Sequence, residues 1–460
     1  MNKMEKRKAM HMRDMTQGNP IRLILAFAIP LFIGNIFQQV YNMVDTMVVG
    51  HHLGEEAIAA IGATSSLYNL MIHFTGMLNN GYGIIVTQRF GAKNNREMKK
   101  AIAGMIMLDI GFTIVLSFIS LIVLRPLMSF MNTPASIFEQ AYSYIAIIYG
   151  GLVTTVCYNM FASILRAVGN SKSPLYFLII SSLLNVVLDI AFVMGLDMGV
   201  AGAAIATVIA QAVSAMICGF YVFLNYREIL PGREDFKVEK TTIVDLMTMG
   251  FSMAIMSCVI DCGSIIFQRA NNVLGEIYIT AYAVSGRIMT IFMQPLGSIS
   301  AANSTFVGQN WGAKEAERIQ STLKKVLMIQ IVWGLFSAAI VYLFGKEIVM
   351  FTSGSEDAEV VKNAVMSLRI HFAAFPVLGV IFCMRNSMQA MGRKVVPVVS
   401  SCIELLIKVL SSAILIPQIG FIGTCMTEPI CWLIMSAYLV IFYVMKKRTI
   451  FASIQPYTIC

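Results

Sequence analysis

The chain has 460 residues, of which 57% are hydrophobic and only 13% are charged, and its mean hydropathy is +0.73. Soluble domains carry about 25% charged residues, so the composition excludes a soluble enzyme or nucleic-acid-binding protein and predicts an integral membrane protein. The formal net charge of +9 is typical of membrane proteins with basic cytoplasmic loops.

Twelve stretches are long and apolar enough to cross a bilayer, since a spanning helix needs about 20 mostly apolar residues. In chain order they are 21–48, 57–85, 101–123, 138–164, 174–194, 200–224, 243–269, 278–307, 323–344, 363–386, 395–416 and 421–445. They do not alternate with a period of two, which excludes the strands of a membrane β-barrel. The sequence therefore predicts an all-α integral membrane protein with twelve transmembrane helices.

Basic residues concentrate in alternate loops, which gives the orientation. Of the 34 lysines and arginines, 27 lie in segments on one side, namely 1–22, 86–101, 165–174, 225–242, 309–325, 385–397 and 446–460. Cytoplasmic loops carry this excess in membrane proteins. We expect a multi-pass protein of the plasma membrane with both termini in the cytoplasm.

The two halves of the sequence match at an offset of 221 residues. Residues 86–93 (VTQRFGAK) align with 307–314 (VGQNWGAK). The same offset pairs Gly54 with Gly275, Gly76 with Gly297, Gly199 with Gly420, and Gly202 with Gly423. Because each half has six spans, both enter the membrane in the same sense, as in secondary transporters built from parallel repeats. We predict a six-helix N-terminal lobe over 1–224, a cytoplasmic linker over 225–242 and a six-helix C-terminal lobe over 243–460.

Polar residues that lie inside spans in one half only are candidates for function. At the offset of 221, Asn185 aligns with Leu406 and Asp189 with Leu410. An intramembrane carboxylate is costly unless it is paired or hydrated, so it marks a candidate functional site. Asn185 and Asp189 are four residues apart and share one helix face. If Asp189 and Asp45 lie close together, they cannot both ionise cheaply, and they are expected to hold a proton or a Na⁺ ion.

The sequence resembles the multidrug and toxic compound extrusion (MATE) family over nearly its whole length. The resemblance is carried by the Gln-x-x-Gly-Ala-Lys loop in both halves, the stretch from Pro30 to Asp45 and the Leu-Arg-Ala-x-Gly-Asn turn at 165–170. It implies two pseudo-symmetric six-helix lobes around a central cavity. It also implies antiport of cationic or amphipathic small molecules against H⁺ or Na⁺. We expect a monomer that binds no nucleic acid and needs no cofactor beyond the coupling ion.

The polar residues of the N-terminal half resemble the cation site of the DinF-like branch of that family. The resemblance assigns cation binding and coupling to Asp45, Asp189, Asn185, Thr207, Tyr41 and Asn159. A Na⁺ ion at Asp45 and Asp189 is the only metal that it implies. Pro30 removes one backbone hydrogen bond from the first span, and the resemblance favours a movable hinge there over a fixed kink.

The C-terminal half carries charges of its own within spans, namely Asp261, Glu404, Lys408 and Glu428. Glu404 and Lys408 are four residues apart and can neutralise each other on one helix, which favours a structural ion pair. Asp261 has no partner nearby in sequence. In the NorM-like branch an acidic residue of the seventh span helps to bind Na⁺, so these four residues are an alternative site.

Other functions were weighed against cation-coupled export. A flippase for a lipid-linked precursor shares the general architecture, but its pyrophosphate needs several cationic side chains, and only Arg269, Arg287 and Lys408 are candidates. A membrane-embedded enzyme needs a catalytic cluster, and the sequence shows none. A P-loop for ATP is also missing, so an ion gradient should supply the energy. We therefore predict a cation-coupled antiporter that is not an enzyme, with the flippase as the alternative.

Overall fold

The computed structural model describes residues 12–354 and 357–454, apart from the side chains of 42, 45, 46, 48, 49 and 51. The helices of the first half are α1 (Pro20–Tyr41), α2 (His52–Gly91), α3 (Asn95–Phe130), α4 (Phe138–Gly150), α5 (Leu152–Ala167), α6 (Lys172–Asp189) and α7 (Gly199–Asn225). A π-helical turn, Ile190–Gly195, follows α6. Helices α1 and α2 belong to one helical stretch that kinks at Gly54, where φ is 78°.

The second half repeats this order. Its helices are α8 (Lys240–Asn272), α9 (Glu276–Gly312), α10 (Ala316–Ser353), α11 (Ala358–Ala373), α12 (Phe375–Ala390), α13 (Val395–Leu410), α14 (Ile416–Ile419) and α15 (Phe421–Ala452). A second π-helical turn, Ser411–Leu415, follows α13. The 3-10 turn Arg233–Phe236 lies in the predicted linker, between α7 and α8.

Within the described residues, nine helices are long and apolar enough to cross a membrane. Two bent pairs each add one span: α4 and α5 meet at 45°, and α11 and α12 meet at 51°. Helix α9, with 37 residues, covers the predicted span 278–307. Each of the twelve predicted spans thus coincides with one helix or one bent pair, which confirms the all-α membrane fold.

The chain forms two compact units, and each exchanges one segment with the lobe that we predicted. The first unit contains Ile29–Ala254 and the described residues up to Asp14, and the second contains Met15–Ala28 and the described chain from Ile255 onward. The start of α1 therefore belongs to the second unit, although the prediction placed it in the N-terminal lobe. The start of α8, up to Ala254, belongs to the first.

Hydrogen bonds explain why residues 15–28 belong to the second unit. The backbone N–H of Met15 donates to Gln309 Oε1 at 2.8 Å, and Asn310 Nδ2 donates to the Met15 carbonyl at 3.1 Å. Arg318 Nη2 donates to the carbonyl of Gly18 at 2.8 Å. The glutamine of the second Gln-x-x-Gly-Ala-Lys loop therefore anchors the start of the chain and is a scaffold residue.

Close backbone packing explains why the start of α8 belongs to the first unit. A Cβ atom on Gly81 of α2 would lie 2.6 Å from the Cα atom of Gly250, so the helices touch where both lack a side chain, as small residues allow in membranes. Phe251 packs edge-on against Phe112 of α3, with ring centroids 5.2 Å apart.

The repeated residues share unusual backbone conformations in both units. Three glycine pairs have positive φ, namely Gly54 and Gly275, Gly199 and Gly420, and Gly169 and Gly392. Lys93 and Lys314, which follow the ends of α2 and α9, also have positive φ, at 55° and 62°. Residues with side chains rarely adopt this region. The motifs found in both halves therefore specify turns of the scaffold.

Candidate cation sites

The site predicted for the N-terminal half is centred on α6 of the first unit. Asn185 is 2% exposed and Asp189 is fully buried, one helical turn apart. The hydroxyl of Tyr41, at the end of α1, donates to Asn185 Oδ1. The structure thus brings Tyr41 and Asn185 into contact, with Asp189 on the same face of α6 as Asn185.

The packing of α6 against α7 determines the position of Thr207. Ser181 Oγ donates to the carbonyl of Ala210 at 2.9 Å, and the two helices are consecutive and antiparallel. One turn beyond that bond lie Asn185 on α6 and Thr207 on α7. The Thr207 hydroxyl donates to the carbonyl of Ala203 at 3.0 Å, so its oxygen lone pairs are still available as acceptors. This register is consistent with Thr207 as a neutral ligand beside Asn185.

A break in the regular helix follows the site. Asp189 is the last residue of α6, and the chain continues into the π-helical turn Ile190–Gly195. π-helical turns are rare and occur frequently at functional sites. The buried carboxylate therefore lies where the helix changes its hydrogen-bonding pattern.

The other predicted residues of this site have different standings. The side chain of Asp45 lies outside the described residues. Asn159, on α5, faces Gly76 of α2, where an added Cβ would lie 3.9 Å from its Nδ2 atom, so the structure does not join it to Asn185. Pro30 is buried within a continuous α1. It lies next to the point between Ala28 and Ile29 at which α1 passes from the second unit to the first.

The second unit contains a buried network of charges. Lys408 Nζ lies 3.0 Å from Glu404 Oε1 and 3.0 Å from Glu428 Oε1. It also donates to Ser264 Oγ at 3.3 Å. Arg385 Nη2 lies 3.7 Å from Glu404 Oε2. The predicted Glu404–Lys408 pair is present, and two further charged groups extend it to a network with no net charge.

Two residues of this region differ from the sequence prediction. Arg385 was counted in a cytoplasmic loop, but it lies within α12, where its Nε donates to Ser400 Oγ at 3.0 Å. The prediction was wrong because α12 continues beyond its most apolar part. Asp261 is half-buried on α8, one turn from Ser264.

The repeat register also differs within this region. Helix α6 begins at Lys172 and α13 at Val395, 223 positions later, and each has proline at its third position. In this register Asn185 is equivalent to Lys408. Each is 2% exposed, whereas Leu406, its predicted equivalent, is 58% exposed. The offset of 221 was therefore wrong for these helices.

Sequence analysis missed a buried carboxyl group in the first unit. Asp109 of α3 is 4% exposed, and Asn79 Nδ2 donates to its Oδ1 at 3.2 Å. Its Oδ2 has no hydrogen-bond partner in the described part of the chain. At the offset of 221 the second unit has Gln330 and Ser300, joined by a bond of 2.7 Å from Nε2 to Oγ. A single acid within the apolar span 101–123 was the signal that could have revealed it.

Comparisons with known proteins agree with this architecture. The MatE family model matches residues 30–191 and 252–414, one copy in each half. The probable multidrug resistance protein YoeA of Bacillus subtilis is 26% identical over 355 residues, which are 75% of this chain and 76% of that protein. DNA damage-inducible protein F of Escherichia coli is 24% identical over 365 residues, 77% of this chain and 76% of its own length.

The fold is also similar to solved structures. A crystal structure of MATE in the bent conformation matches with a TM-score of 0.89 at 19% identity, covering 96% of this chain and 98% of that one. Because the family model covers well over half of the residues in two copies, the assignment does not depend on any single motif. The chain therefore belongs to the MatE family of membrane transporters.

Proposed function

We propose that this protein is a cation-coupled antiporter that exports cationic or amphipathic small molecules by alternating access, with H⁺ or Na⁺ as the coupling ion. The observation that carries this proposal is the buried pair Asn185 and Asp189, with Tyr41 of α1 bonded to Asn185. An acid inside a membrane helix is costly to keep and usually serves ion or proton transfer. The relatives named as multidrug resistance proteins support the substrate class.

The geometry suggests how the ion and the substrate are coupled. A proton or Na⁺ at Asp189 cancels the negative charge that attracts a cationic substrate, and loss of the ion restores it. Thr207, level with Asn185, and Asp45 complete the proposed set of ligands. Since Tyr41 lies on α1, a change at Asn185 is transmitted to that helix, which contains Pro30. Each ligand thus favours a different state of the protein, as coupling between two ligands requires.

The remaining parts of the proposal concern location and competing functions. The basic loops support a plasma-membrane protein with both termini cytoplasmic, and we propose that it works as a monomer. A lipid-linked precursor as substrate is less well supported, because Lys408, one of the candidate cations for its pyrophosphate, is neutralised by two glutamates.

The test is transport by purified protein in vesicles, with pH and Na⁺ gradients imposed separately and a fluorescent organic cation as substrate. Asp189→Asn should abolish gradient-driven transport, because its side chain cannot ionise. Asp197→Asn is the matched control: Asp197 is exposed in the turn before α7 and has φ of 50°, which asparagine tolerates. Near-normal transport by Asp189→Asn, at equal amounts of folded protein, would place the coupling site elsewhere.

A further inference from the structure

The network of the second unit lies at the position that the candidate cation site holds in the first. Lys408 is equivalent to Asn185 in the register of α6 and α13. Gly199 and Gly420, both with positive φ, mark the start of α7 and α15 and restore the offset of 221. At that offset Glu428 is equivalent to Thr207.

The ammonium group of Lys408 has the surroundings of a bound cation. Three oxygen atoms lie around it: one each from Glu404 and Glu428 at 3.0 Å, and the hydroxyl of Ser264 at 3.3 Å. The side chain of Lys408 is only 3% exposed. Lysine reaches this point on the stem of its own side chain, so its positive charge cannot leave.

We propose that this cluster is a second monovalent cation site, in which the Lys408 ammonium occupies the place of a free ion. The site is loaded permanently, so the second unit exchanges no coupling ion. If Lys408 is replaced by a neutral residue, the site should accept a small monovalent cation, either Na⁺ or a proton. The inference goes beyond the proposed function and uses it only for the comparison with Asn185.

Charge balance supports this assignment. With lysine present, two glutamates face two cations, Lys408 and Arg385. Without it, one negative charge is left over in a buried position, which is strongly unfavourable because the remaining charge is uncompensated. Tyr282, His371 and Cys431 are the other titratable groups near the glutamates. An external cation is then the simplest way to restore neutrality.

The experiment uses the full-length protein with Asp189→Asn, so that the first site cannot respond. Thermal unfolding is measured at equal ionic strength in NaCl and in choline chloride at pH 8, with and without Lys408→Asn, which supplies the residue found at the equivalent position. We expect Na⁺ to raise the unfolding midpoint of the Lys408→Asn protein by about 5 °C, as a ligand that binds only the folded state does. The parent should not respond.

Two further arms identify the ion and the charges. If a proton occupies the site, the midpoint in choline chloride rises when the pH is lowered from about 8 to about 6, and Na⁺ adds nothing. Adding Glu428→Gln to Lys408→Asn leaves Glu404 with Arg385, so the midpoint should depend on neither ion. Persistence of the response in that variant would overturn the assignment.

Other outcomes also decide the question. Folded Lys408→Asn protein that responds to neither Na⁺ nor pH would overturn the proposal. If Lys408→Asn folds only in Na⁺, the proposal is supported. If it folds in neither salt while Lys408→Asn/Glu428→Gln folds, or if both variants fail, the site does not bind a free ion. Because the readout is stability in an Asp189→Asn background, it is independent of whether Asp189 couples transport.

Discussion

The two units use one scaffold for two different polar sites. In the first, Asn185 and Asp189 lie on α6, and the only described bond from another helix to this pair comes from Tyr41. In the second, the equivalent helix carries Lys408, which is held by glutamates of α13 and α15. One site thus depends on a cation from outside, whereas the other contains its own. The difference shows how a duplicated fold can confine ion exchange to one half.

A second comparison lies between the helices that follow each kink. Asn79 and Asp109 join α2 to α3, and Ser300 and Gln330 join α9 to α10 at equivalent positions. Both contacts are buried hydrogen bonds between neighbouring helices, yet only Asp109 can ionise. The asymmetry of the units therefore extends beyond the ion network, and it can be tested by exchanging residues between equivalent positions.

The largest effect on stability should come from breaking the charge balance of the second unit. Glu404→Gln leaves Lys408 and Arg385 against a single carboxylate, and loss of one partner of a buried pair typically costs about 3–5 kcal/mol. Glu404→Gln/Lys408→Met restores neutrality and should be less damaging than Glu404→Gln alone. Thermal unfolding of the three proteins measures this. Equal damage in the single and double variants would favour a direct transport role for these residues.

Exchange of the helix-joining residues should have a smaller, one-sided effect. Gln330→Glu places a carboxylate where the scaffold accommodates an amide, and we expect a loss of about 1–3 kcal/mol, the usual cost of an unsatisfied buried polar group. Asp109→Asn makes the first unit resemble the second and should leave stability unchanged or slightly higher. Unfolding midpoints measured side by side provide the test. Equal losses in both variants would show that the two contacts are not equivalent.

The elements that could be predicted from the sequence are those that follow from hydropathy and charge. Apolar length located every span, and the paired glycines located the turns. The exchanged segments could not be predicted, because the contacts of Met15 with Gln309 and of Gly81 with Gly250 are tertiary. Nor could the equivalence of Asn185 and Lys408. The register changes by two residues between the start of α3 and α10, 221 apart, and that of α6 and α13, 223 apart.

Removal of the bond between α1 and α6 should have an effect of intermediate size. Tyr41→Phe keeps the ring but deletes the hydroxyl that donates to Asn185, and one such bond contributes about 1 kcal/mol. We expect gradient-driven transport to fall several-fold while the protein stays folded, since the first site loses its link to α1. Tyr278→Phe, on α9 of the second unit, is the control. A Tyr41→Phe protein with unchanged transport would show that this bond does not carry the coupling.

The smallest effect should come from an ion pair at the surface of the first unit. Arg125 Nη1 lies 3.0 Å from Glu139 Oε1, but the two side chains are 54% and 71% exposed. Water screens the attraction of such pairs, and many contribute nothing measurable. Glu139→Gln should therefore move the unfolding midpoint by no more than about 1 °C. Glu404→Gln makes the same chemical change at a carboxylate 3.0 Å from its cation, so the two variants differ mainly in burial. A shift from Glu139→Gln as large as that from Glu404→Gln would mean that burial does not explain the importance of the Lys408 network.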